Sequence, residues 1–125
     1  MTIQGVLDNT DVLAPSKYGD EEKLRWISAI EKRIIDDVVN QFEGKDDYEN
    51  WSEYTLETDL NTELIVKPPY DELYSLYVVS QIDFYNGEIG KYNNSSALFN
   101  AMYNDFKNSY NRTHKRDKTY YFRKI

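Results

Sequence analysis

The run Asp20-Glu21-Glu22-Lys23-Leu24-Arg25-Trp26-Ile27-Ser28-Ala29-Ile30-Glu31-Lys32-Arg33-Ile34-Ile35-Asp36-Asp37-Val38-Val39-Asn40-Gln41-Phe42 decides the fold class. Leu24, Ile27, Ile30, Ile34, Val38 and Phe42 recur at intervals of three or four, and Trp26, Ile35 and Val39 widen the stripe. That is the period of one helical face. Asp20, Glu21 and Glu22 fill the first turn, where negative charge suits the positive end of the helix dipole. Gly19 is an acceptable N-cap, weaker than Ser. Arg25, Lys32, Arg33 and Glu31 are read as the outer face. A long helix over 20–42 is expected, with Gly44 as its stop.

On the N-terminal side, Ile3, Val6, Leu7, Val12 and Leu13 form a shorter helical stripe near 2–13. Thr2 can cap it, and Pro15 ends it by forcing the preceding residue out of the α region. On the C-terminal side, Pro68-Pro69 is read as the start of a third helix, with Asp71 and Glu72 in its first turn. Leu73, Leu76, Tyr77, Val79, Ile82 and Phe84 continue it, with Tyr74, Val78 and Tyr85 on its other sides. A helix this apolar all round is central in its bundle or lies at an oligomer interface. Asn86-Gly87 stops it. A fourth helix capped by Asn93 or Asn94 then carries Leu98 or Phe99, Met102, Tyr103, Phe106 and Tyr110. The short link makes the last two helices an antiparallel pair. The expected fold is all-α, with about four helices.

Two segments lie outside this pattern. Residues 43–67 hold eight acidic residues against two lysines, a net of −6. Tyr48, Trp51, Tyr54 and Leu56 are interspersed, and Leu64-Ile65-Val66 is a short strand-like run that Tyr54–Thr58 could meet as a hairpin. An ordered arm with some strand, its order dependent on a partner, fits better than a long structureless loop. From His114 onward, five cations meet one acid, so this tail is +4 and the remaining 113 residues net −11. The helical domain is therefore read as 1–113 and the tail as 114–125. The tail's candidate docking residues are Lys115, Arg116, Lys118, Tyr120, Tyr121, Phe122, Arg123, Lys124 and Ile125. Tyr, Phe and Arg are residue types that anchor interfaces, which favours protein docking over a frayed end or a nucleic-acid contact.

Composition excludes much chemistry. The chain has 125 residues, 15 Lys+Arg, 22 Asp+Glu, one His and no Cys, a net charge of −7. A chain this acidic is a poor general binder of nucleic acid. Without Cys there is no disulfide, thiolate nucleophile or Cys-based metal site, and a lone His114 removes the usual carboxylate–histidine metal pairs. No Gly-rich phosphate loop or nucleophile elbow is present. No catalysis, cofactor or metal is expected. Asp36-Asp37 reads as a solvated face rather than a cation or Arg-partner site. Acidic residues around Asp46-Asp47 lack EF-hand spacing. No apolar run reaches membrane-span length, and Met1-Thr2-Ile3-Gln4-Gly5 lacks the pattern of a secretory signal, so a soluble intracellular domain or a particle component is expected. Of the 19 aromatic residues, 12 are Tyr, more than a domain of this size can hide in its own core.

Two blocks carry a family resemblance. One runs Lys17-Tyr18-Gly19-Asp20-Glu21-Glu22-Lys23-Leu24-Arg25-Trp26-Ile27 on to Arg33-Ile34. The other runs Pro69-Tyr70-Asp71-Glu72-Leu73-Tyr74, through Gln81-Ile82-Asp83-Phe84-Tyr85-Asn86-Gly87-Glu88, to Tyr92-Asn93-Asn94-Ser95 and Leu98-Phe99-Asn100. Together, over roughly 2–42 and 64–113, the chain resembles head–tail connector, or adaptor, proteins of tailed phages and prophages of Gram-positive bacteria. Gly19 departs from the Ser of the family pattern. The resemblance implies a helical subunit of a ring, usually twelve-fold, that joins the portal protein to the next neck or tail component. It implies a channel through which DNA passes without specific binding, and a place in the virion after synthesis in the bacterial cytoplasm. Carried onto this chain, it makes 115–125 the portal-docking candidate. The arm becomes the candidate contact to a neighbouring subunit or the next ring, through Tyr48, Trp51, Tyr54, Leu56, Leu64 and Ile65. The competing reading is a small acidic phage regulator or inhibitor that binds a host protein.

Overall fold

The computed structural model describes residues 1–116. They form four helices, α1 (Ile3–Leu13), α2 (Asp20–Asp37), α3 (Leu73–Tyr85) and α4 (Ile89–Thr113), with 3-10 turns at Val39–Gln41 and Lys45–Tyr48. The fold is all-α, and among the described residues only two isolated β-bridges occur. The Thr2 hydroxyl accepts from the Gly5 amide at 3.1 Å and caps α1. Ile3, Val6 and Leu7 of α1 are buried. α3 packs against each of the other three helices, most extensively against α4. Leu73, Tyr74, Val78 and Ile82 thus lie centrally among Leu24, Ile27, Ile30 and Ile34 of α2 and Phe99, Tyr103 and Phe106 of α4.

Three boundaries differ from the sequence reading. α2 ends at Asp37, and the stripe continues through the 3-10 turn, which keeps Val38, Val39 and Phe42 buried. Gly44, at φ +91°, then reverses the chain, a conformation glycine adopts without steric cost. α3 begins at Leu73, not at the prolines. Turn bonds from Tyr70 N–H to Lys67 O and from Leu73 N–H to Tyr70 O occupy 67–73. Asp71 is drawn to the N-terminal amine of Met1 at 3.3 Å. α4 begins at Ile89, ahead of Asn93 and Asn94, because Gly87 at φ +73° turns the chain within three residues and Tyr92 N–H already bonds Glu88 O.

The hairpin in the arm does not form. The edge of residues 60–64 pairs instead with the start of the chain. Ile3 N–H donates to Thr62 O at 3.1 Å, Gln4 N–H to Leu60 O at 2.9 Å and Leu64 N–H to Met1 O at 3.1 Å. Of the strand-like run only Leu64 joins this pairing, and Leu64 and Val66 enter the core. The arm is folded onto its own body without a second chain.

Candidate interaction surfaces

The arm is fastened by a buried carboxylate. Glu31 is fully buried at 0% exposure, not on the outer face of α2. Its Oε1 accepts a hydrogen bond from the Tyr74 hydroxyl of α3. Its Oε2 accepts from the Tyr54 hydroxyl at 3.0 Å and from the Ile65 amide at 3.2 Å, both in the arm. The network extends outward, since Trp51 Nε1 donates to the Tyr54 hydroxyl at 3.1 Å and Val66 N–H to the Tyr74 hydroxyl at 2.9 Å. Tyr54 N–H also donates to Ser28 Oγ at 2.9 Å. Burial raises the Glu31 carboxyl above its ordinary value, against the opposing pull of these hydrogen bonds. Burial and the neighbouring Glu31 charge push the Tyr54 and Tyr74 phenols up as well.

This arrangement redistributes the six arm candidates. Leu64 is buried, and Tyr48, Tyr54 and Ile65 pack partly against the core. Trp51 is half-buried against Tyr54, with ring centroids 5.6 Å apart. Leu56 alone of the six stands well out, at 64% exposure. The arm's aromatic residues mainly serve the chain's own packing.

The larger exposed apolar surface lies where α3 hands over to α4, a place the sequence reading did not single out. Phe84 is 56%, Tyr85 58% and Ile89 72% exposed, and Leu98 of α4 and Val12 and Leu13 of α1 are exposed as well. The rings connect into a strip. Tyr18 and Trp26 are 5.5 Å apart, Trp26 stacks on Tyr85 at 5.8 Å, and Phe84 lies 5.2 Å from Tyr85 and 5.4 Å from Tyr92. A cavity of about 460 Å³ beside it is lined by Leu13, Leu76, Val79 and Leu98. The available signal was Phe84-Tyr85 set directly before the Asn86-Gly87 stop, where a helix end projects its side chains.

The tail's first residues are tied down. Phe42 and Arg116 form an antiparallel bridge, and Glu43 N–H donates to Lys115 O at 2.8 Å. The Arg116 guanidinium lies 5.3 Å from the Phe42 ring and donates to Gln41 Oε1 and Asn111 Oδ1, each at 3.2 Å. His114 caps α4 and stacks on Tyr110 at 3.6 Å between centroids. Lys118, Tyr120, Tyr121, Phe122, Arg123, Lys124 and Ile125 lie outside the described residues.

Asp36 and Asp37 remain exposed and pair within α2, with Lys32 at 3.2 Å and Arg33 at 3.4 Å. Among the described residues no three metal-ligating side chains converge, and no helix is long and apolar enough to cross a membrane. The Tyr103 hydroxyl is pushed up to about 12, by burial first and by the Asp37 charge second. No family model matches the chain, and neither a curated protein nor a solved structure matches it.

Proposed function

We propose that the chain is an adaptor subunit of a phage neck, one copy of a ring that joins the portal to the next tail component around the DNA channel. The observation that carries this reading is the exposed aromatic strip at the α3–α4 turn. Phe84, Tyr85 and Ile89 are already partly covered, so burying the rest of each against a partner would gain about 1–2 kcal/mol. Closing a ring needs a heterologous interface, hence two different adhesive surfaces on one subunit. The strip is one of them, and the Leu56 side of the arm is a candidate for the other. The basic tail is the candidate grip on the portal. A net charge of −7 suits a conduit, since an acidic wall does not hold passing phosphate.

The test is light scattering on a sizing column, with the chain alone and mixed with the portal of the same phage. Co-elution with portal at a ring-sized stoichiometry is expected. The double substitution Phe84→Lys/Tyr85→Lys should lower subunit–subunit association while keeping far-UV helix content. Indifference to portal together with a one-to-one complex with a host protein would replace the adaptor with the regulator reading.

A further inference from the structure

The buried acids of this protein have different partners. Asp71 faces the N-terminal amine, and Asp83 accepts from the Ser95 hydroxyl at 2.9 Å. Glu31 sits deepest, and among the described residues no cation comes within ion-pair distance of it. Its direct partners are two phenols and one backbone amide, and two of these three belong to the arm. The titratable groups that act on it are Tyr74 from α3, Tyr54 from the arm and Lys67 at the arm's end, with Tyr48 of the 3-10 turn close enough to feel its charge. Lys67 is exposed and sits 3.8 Å from Glu63.

We infer that Glu31 is a proton-gated latch for the arm: gaining a proton fastens residues 51–66 to the helical body, and losing it lets them lift. A carboxylate without a cation is costly to bury, whereas a neutral carboxyl is much less so. Lifting the arm returns Glu31 to water and to its ordinary value of 4.5. The docked arm therefore holds the proton through a range of pH in which the lifted arm has lost it. Linkage sets the sign. The latch is tightest below 4.5, loosens by up to about tenfold in opening constant per pH unit above it, and levels off past the docked value. Lifting would free Tyr54 and Ile65 for a partner. The latch is a property of the single chain and does not depend on the adaptor reading.

The test is amide hydrogen exchange by NMR on the full chain, from about pH 4 to about pH 8, corrected for the intrinsic pH dependence of exchange. Opening at Tyr54, Ile65 and Val66 should rise across this range and then level off, while Val78 and Phe106 in the helical core hold constant. Glu31→Gln keeps the shape without the titration, so its arm opening should be flat with pH. A flat wild type, or a Glu31→Gln chain with the wild-type slope, overturns the latch. If Glu31→Gln fails to fold, titration of the Glu31 side-chain carboxyl carbon in the wild type decides. A midpoint raised above 4.5 that coincides with the change in arm exchange supports the latch. An ordinary midpoint, or a raised one with no change in the arm, rejects it.

Discussion

Tyr74→Phe removes one oxygen from the middle of the molecule. Tyr74 is 0% exposed, and its hydroxyl both donates to Glu31 Oε1 and accepts from Val66 N–H at 2.9 Å. The phenylalanine ring fills nearly the same space, so packing is kept and only the polar connection is lost. Two buried groups are then orphaned, the Val66 amide and one side of the Glu31 carboxyl. Each unsatisfied buried group costs about 1–3 kcal/mol, so the two together set a total of about 2–6 kcal/mol. Domains have only about 5–15 kcal/mol of stability to lose. Urea unfolding followed by far-UV circular dichroism should show a lower midpoint with an unchanged slope. Tyr77→Phe is the control. It lies on the same helix, is half-buried, and its hydroxyl makes no hydrogen bond among the described residues, so its cost should stay within about 0.5 kcal/mol. If Tyr74→Phe costs no more than Tyr77→Phe, the Glu31 network does not hold the arm and the account of it is wrong.

Ile34→Asp places a charge at a fully buried point of α2 with no partner, at a cost of several kcal/mol. Loss of far-UV helical signal is expected, and a soluble, fully helical variant would mean the core is misplaced. The Lys23–Asp11 pair predicts an asymmetry, because Lys23 is buried at 4% side-chain exposure and Asp11 is 59% exposed. Asp11→Ala strands a buried amine and should cost about 3 kcal/mol, whereas Lys23→Met leaves only a solvated carboxylate and should stay within about 1 kcal/mol of wild type. Equal losses in urea unfolding would show that the amine is not desolvated.

Much of the fold was legible because helices announce themselves by period. The α2 stripe, the Thr2 cap, the Pro15 stop and the Asn86-Gly87 turn are each local, and each agrees with the structure to within a few residues. What failed was non-local. α3 starts at Leu73 rather than at the prolines, where turn bonds occupy 67–73 and Asp71 meets the amine of Met1, seventy residues earlier in the chain. Residues 60–64, at the head of the strand-like run, paired with residues 1–4, a partner no window around them contains. Glu31 is the exception that could have been read. Leu24, Ile27, Glu31, Ile34 and Val38 step by three, four, three and four, so the acid lies on the apolar stripe itself. Its charge suggests the outer face, but its place on the stripe decides, and the side chain is buried.

That reversal changes what the aromatic excess means. An excess of Tyr counts toward a partner surface only after the chain's own polar interior has taken its share. Glu31 takes Tyr74 and Tyr54, and Tyr54 in turn takes Trp51. Much of the arm's aromatic content is thereby spent inside the subunit, where a phenol supplies ring area to the core and a donor to a buried acid. The strip from Tyr18 through Trp26 and Tyr85 to Phe84 and Tyr92 is different, because its rings meet one another at the surface and leave Phe84 and Tyr85 more than half exposed. Water gains nothing from aligning such rings, and a second protein surface does. The exposed apolar area therefore lies at the turn between α3 and α4 and not in the acidic arm, most of whose aromatic side chains are taken up within the subunit.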